Sequence, residues 1–119
     1  MTKREIAELL SRAEVAKVAD KLAEDIEWNM FEESMSVKGK NEVIEFAEKI
    51  FAYFQTVETK FETTGVIEGD DKIAIYGTAE FIRDDKTVNR VNSCDVYEFD
   101  GNGYVSKINS YCNSEKTGK

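Results

Sequence analysis

Asp95 is the residue of this sequence whose type and setting most invite chemistry. Positions 87 to 99 have strand character and divide by parity. Asn89, Val91, Ser93, Asp95, Tyr97 and Phe99 share one face, and Val88, Arg90, Asn92, Cys94, Val96 and Glu98 share the other. The first set is the more aromatic. A carboxylate drawn inward between Tyr97 and Phe99 loses hydration, which favours its neutral form, raises its pKa and equips it to donate a hydrogen bond to a substrate oxygen. The competing reading keeps Asp95 ionised as a structural anchor that accepts bonds from Ser, Asn or Tyr side chains. Residue types alone leave the two balanced, because structural carboxylates are perturbed as well as catalytic ones.

Other chemistries lack their residues. The 119 residues contain no His, which removes Ser-His and Cys-His catalysis and most zinc sites. Asp70-Asp71 and Asp84-Asp85 sit in turns without the ligand spacing of a calcium loop, so neither a metal nor a cofactor is expected. Lys and Arg number 16 against 24 Asp and Glu, a formal charge of -8 that repels phosphate backbones and anionic lipid, so nucleic acid is not an expected partner. No apolar run approaches the roughly 20 residues of a spanning helix, and no membrane association is expected. The Met1-Thr2-Lys3-Arg4-Glu5 start leads into an amphipathic stretch and does not read as a secretory signal, which places the protein in the cytoplasm with its two cysteines reduced. In a hairpin with Phe99 opposite Tyr104, Cys94 faces Asn109 and Cys112 faces Val91 on the other side, so no disulfide is expected.

The elements that must position Asp95 follow from periodicity. Thr2 with Glu5 forms a capping-box pattern ahead of Ile6, Leu9 and Leu10, predicting a helix over 3–10. Ser11 with Glu14 repeats the pattern, and Val15, Val18, Ala19 and Leu22 predict a second helix, or a bent continuation of the first. Residues 25–31 change to period two, with Ile26, Trp28 and Met30 on one side of a strand. After a turn at Gly39-Lys40 and an N-cap at Asn41, Val43, Ile44, Ala47, Ile50, Phe51 and Phe54 predict the longest helix. Four strands, 57–68, 72–83, 87–99 and 104–113, are separated by Asp- and Gly-rich turns short enough to force an antiparallel meander. One domain is expected over 1–113, α+β in class, with residues 114–119 as a disordered tail.

The order of elements, and the segments Leu22-Ala23-Glu24-Asp25-Ile26-Glu27-Trp28, Gly39-Lys40-Asn41-Glu42-Val43-Ile44-Glu45-Phe46 and Asp95-Val96-Tyr97-Glu98-Phe99-Asp100, resemble the nuclear transport factor 2-like superfamily in its SnoaL-like and ketosteroid-isomerase-like branch. The resemblance implies a cone-shaped, cystatin-like fold, with about three N-terminal helices on a strongly curved antiparallel sheet that encloses a pocket. It implies that Asp95 takes the place of the protonated acid of an isomerase oxyanion hole. The matching general-base position falls at or near Met30, which cannot take a proton, with Glu32 and Glu33 as the nearest substitutes. No Tyr precedes Tyr53 to complete the oxyanion hole. Steroid isomerisation is therefore not expected.

The same resemblance gives the pocket residues as Trp28, Met30, Phe54, Tyr97, Phe99 and Cys112 around Asp95 as the candidate catalytic acid. The leading functional expectation is binding of a small apolar ligand in the cone without catalysis. The alternative is an acid-assisted isomerase or cyclase acting on a polyketide- or steroid-like molecule through Asp95, and a third is a purely structural dimer subunit. A homodimer through the outer face of the sheet is expected because that face mixes Val88, Cys94 and Val96 with Arg90, Asn92 and Glu98.

Overall fold

The computed structural model describes residues 1–115. Helix α1 (Lys3–Ser11) opens on the expected capping box, in which the Thr2 hydroxyl accepts from the Glu5 N–H at 3.1 Å and the Glu5 carboxylate accepts from the Thr2 N–H at 2.9 Å. The second helix expected after it does not form. Ser11 donates its hydroxyl to the Glu8 carbonyl at 2.7 Å, so the intended cap is used inside the last turn of α1. Glu14 turns its carboxylate to Arg12 at 3.0 Å and Lys17 at 2.8 Å instead of reaching back to a cap N–H. Between them Ala13 takes a left-handed φ of 60°, and the Glu14 N–H closes the helix end on the Leu9 carbonyl. Two single 3-10 turns follow, Val15–Lys17 and Ala19–Lys21. Val15, Val18 and Leu22 still point inward and are almost fully buried, but Leu22 already begins strand β1 (Leu22–Met30).

Strand β2 (Met35–Lys38), not foreseen in the sequence, folds back on β1 with Trp28 opposite Val37. Helix α2 (Lys40–Phe54) starts one residue before the expected cap. Gly39 takes the capping position with a φ of 94°, a conformation that favours glycine, and ties its N–H to the Ile26 carbonyl at 2.8 Å. Val43 and Ala47 of α2 are buried against the sheet.

The remaining strands fall close to expectation: β3 (Glu58–Glu68), β4 (Lys72–Arg83), β5 (Lys86–Phe99) and β6 (Val105–Glu115). Asp84 and Asp85 both take positive φ, the backbone of a tight hairpin turn, and the Asp100 carboxylate accepts from the N–H groups of Asn102 and Tyr104 at 2.9 and 3.0 Å. Strand β6 includes Ser114 and Glu115, two residues of the expected tail, and the rest of that expectation, 116–119, lies outside the described residues. The sheet order is β2-β1-β6-β5-β4-β3. It is not purely antiparallel, because β1 runs parallel to β6.

Register irregularities at Thr63/Gly65, Phe81/Ile82 and Glu98/Phe99 bend the long strands. The fold is an α+β cone: a curved six-stranded sheet, with α1, α2 and the 3-10 turns packed across its inner face. Phe99 pairs with Val105 and the irregularity at Glu98/Phe99 adds one more residue, so the β5–β6 register lies two residues from the simple hairpin. Cys94 faces Tyr111 and Cys112 faces Ser93, on opposite sides of the sheet, and both cysteines are free.

Candidate functional site

Asp95 stands at the middle of β5, between Ile75 of β4 and Ser110 of β6, and Ser110 is followed across the sheet by Met30 of β1. The row places one carboxyl group and one hydroxyl among apolar neighbours. Burial pushes the Asp95 carboxyl up from 3.8 to about 6, and a hydrogen bond with the Ser110 side chain works in the opposite direction. Ser110 is itself only 5% exposed. Its oxygen accepts from the Trp28 indole N–H at 2.9 Å. A serine hydroxyl has one proton, so acceptance from Trp28 leaves that proton for the Asp95 carboxylate. Trp28 is held in turn by Phe46 of α2, edge to face with ring centroids 5.4 Å apart.

Beside Asp95 the inner face opens into a cavity of ≈ 210 Å³. Ser93 and Asp95 of β5, Ile75 and Ala79 of β4 and Phe61 of β3 form its sheet side. The end of α1 contributes Ser11 and Arg12. Gly77 makes the bend possible, because a Cβ there would collide with the main chain of Glu62 and Thr63.

Of the residues expected around the pocket, Asp95 lines this cavity. Tyr97 and Phe99 share its face but are closed into the core at 2% and 4% exposure. Trp28 reaches Asp95 at one remove through Ser110, and Met30 ends the same row. Phe54 packs on Phe61 and Phe81 with centroids 5.4 and 5.6 Å away, behind the Phe61 wall. Cys112 neighbours Ser93 on the inner face. Burial pushes its thiol up to about 12, with Asp95, Glu33 and Glu32 adding to the effect. Burial raises Cys94 as well. Both sulfurs therefore stay protonated near neutral pH and are poor nucleophiles. Glu32 is exposed, its carboxylate accepting from the Ser114 N–H and hydroxyl at 3.0 and 3.1 Å, and Glu33 is exposed beside it.

Two contributors were not foreseen. Ser110 was hidden by register: the simple hairpin pairs Asp95 with Ile108, and the pairing of Phe99 with Val105 and the irregularity at Glu98/Phe99 each shift β6 by one residue to bring Ser110 opposite. Arg12 was hidden by the expected second helix. Arg90, the arginine nearest Asp95 in sequence, lies on the outer face as its parity requires and binds Glu80 at 3.0 Å.

Residues 4–108 match the SnoaL-like domain. The chain belongs to the SnoaL-like family. No match is found among curated proteins. Among solved structures, this SnoaL-like chain is similar to an NTF2-like protein of unknown function from Cytophaga hutchinsonii, with 29% identity, a TM-score of 0.81 and coverage of 92% of this chain and 95% of that one. It also resembles a protein from Shewanella putrefaciens provisionally named a SnoaL-like polyketide cyclase (13% identity, TM-score 0.70, 91% and 75% covered). A third, from Kribbella flavida, is provisionally named a ketosteroid isomerase (15% identity, TM-score 0.66, 94% and 75% covered). The last two likenesses are of fold.

Proposed function

We propose that this SnoaL-like chain binds a small molecule with an apolar body in the cavity beside Asp95, and that Asp95 meets a polar atom of that molecule. The observation that carries the reading is the placement of one desolvated acid on the wall of a cavity, its carboxyl raised to about 6 and its hydrogen bonding fixed by the Trp28–Ser110 pair. Ile75, Ala79 and Phe61 supply the apolar contact. Native mass spectrometry of the purified protein tests it. The wild type is expected to carry an added small mass, with lower occupancy in Asp95→Asn, and the bare chain mass in both would contradict the reading.

An acid-assisted isomerase or cyclase is the second reading, supported by the same pKa, which suits proton donation near neutral pH. Binding stands ahead of it because general acid chemistry also needs a base, and the Asp95 row offers only a hydroxyl. The cavity is also small for a polyketide or steroid, being below the roughly 300 Å³ at which pockets for drug-sized ligands begin.

The outer face supports a homodimer. Tyr76, Cys94 and Tyr111 are neighbours in one row across β4, β5 and β6, and Ile67, Ala74 and Val96 are neighbours in another. Phe31 extends the first by stacking on Tyr111 at 4.9 Å. The Ser36–Asn29–Asn109 hydrogen-bonded ladder borders the apolar stripe. No helix among the described residues is long and apolar enough to cross a membrane. We place the protein in the cytoplasm and, from its charge, away from nucleic acid.

A further inference from the structure

The cavity is lined by groups of two unlike kinds: Asp95 and Ser93 of β5, and Arg12, which caps α1. Glu14 takes the Arg12 Nε–H at 3.0 Å and is itself bound by Lys17 at 2.8 Å, which fixes the guanidinium plane. Among the described residues nothing hydrogen-bonds the two terminal amines of Arg12, which leaves four N–H donors in a planar fork. Among the described residues Arg12 forms its ion pair with Glu14 and not with Asp95. Phe61 and Ile75 line the same cavity.

From this arrangement we infer that the ligand is a small organic acid that also carries a neutral carbonyl oxygen, its carboxylate held by Arg12 and its carbonyl oxygen by Asp95. The inference rests on the reading of the cavity as a ligand site and adds the chemical class. A purely apolar molecule would use neither the Arg12 fork nor the Asp95 carboxyl. A cation could satisfy Asp95 but would bring its charge toward Arg12. A carboxylate fits the planar fork with paired hydrogen bonds, and a carbonyl oxygen accepts the one proton that neutral Asp95 can offer. The size of the cavity, ≈ 210 Å³, suits a short-chain oxo acid. With a net charge of -8 the protein repels anions at long range, so selection of an acid depends on the local fork.

Binding must weaken as Asp95 ionises. The other groups about it do not titrate in the same range: burial holds Cys94 and Cys112 above their ordinary thiol values and Tyr97 well above its ordinary phenol value. Glu32 and Glu33 act on Cys112, and Glu62, on the cavity's edge, alternates with Phe61 and Thr63 along β3.

The test uses 4-oxopentanoate, its methyl ester and butylamine as probes, followed by NMR through the Asp95 carboxyl and Trp28 indole signals of the whole chain. The acid is expected to shift both signals. It should bind at least about tenfold more tightly at pH 5.5 than at pH 8, following the protonated fraction of a carboxyl with a pKa of about 6. Arg12→Gln should weaken it by about tenfold with the remaining spectrum unchanged, and Arg12→Lys by less, because Lys keeps the charge without the fork. Equal binding of acid and ester, or binding of butylamine alone, would overturn the proposed class while leaving the cavity a ligand site. If none of the three probes moves either signal, the class and the site both fall.

Discussion

Asp95 is a carboxyl group whose cost to the fold depends on pH. Folding raises its pKa from 3.8 to about 6, so the native chain holds this proton more tightly than the unfolded chain does. The associated stability is complete below about pH 4 and is lost as pH rises through about 6. Two units correspond to about 3 kcal/mol at most, and partial solvent access reduces this to about 1–2 kcal/mol. Asp95→Asn should therefore match the wild type at pH 4 and exceed its stability by about 1–2 kcal/mol at pH 8, measured by urea unfolding at both values; an equal change at the two would contradict the account. Ser110→Ala should raise the Asp95 pKa further, because it removes a bond that favours the carboxylate. The inward face of Asp95 was legible from the alternation of β5. Its hydroxyl partner was not, because the turn pairing of Phe99 with Val105 and the irregularity at Glu98/Phe99 together decide which β6 residue lies opposite, and nothing in the local composition marks them.

The curvature that forms the cavity depends on particular backbone positions. Gly77→Ala places a Cβ against the Glu62 carbonyl and the Thr63 Cα, main-chain atoms that cannot rotate away, and should cost about 2–4 kcal/mol. Gly101→Ala meets nothing within 4 Å and should change stability by less than about 0.5 kcal/mol. Urea midpoints of the two variants check this contrast, and similar losses in both would count against a special role for Gly77. Much of the element layout was legible for physical reasons. The Thr2–Glu5 box and the apolar spacing of α2 are local signals, and the Asp- and Gly-rich turns delimit β3 to β6. The pattern at Ser11 and Glu14 misled because both side chains found other partners, and β2 is four residues long with mostly exposed side chains.

For the molecule as a whole, the curved sheet separates two surfaces of different composition, an inner one holding the acid and an outer one carrying the Tyr76–Cys94–Tyr111 row. At 50% exposure Tyr111 is open to a partner, and Tyr111→Glu should convert a dimer into a monomer in sedimentation equilibrium at micromolar concentration. A wild-type chain that sediments as a monomer across low and moderate salt would remove the dimer. The fold presents one acid to a cavity, its carboxyl raised by burial to about 6. Carbon-detected NMR titration of the Asp95 carboxyl in the unliganded protein tests it most directly. The account predicts a midpoint of about 6 that moves upward in Ser110→Ala, and a midpoint at or below the ordinary 3.8 in the wild type would contradict it.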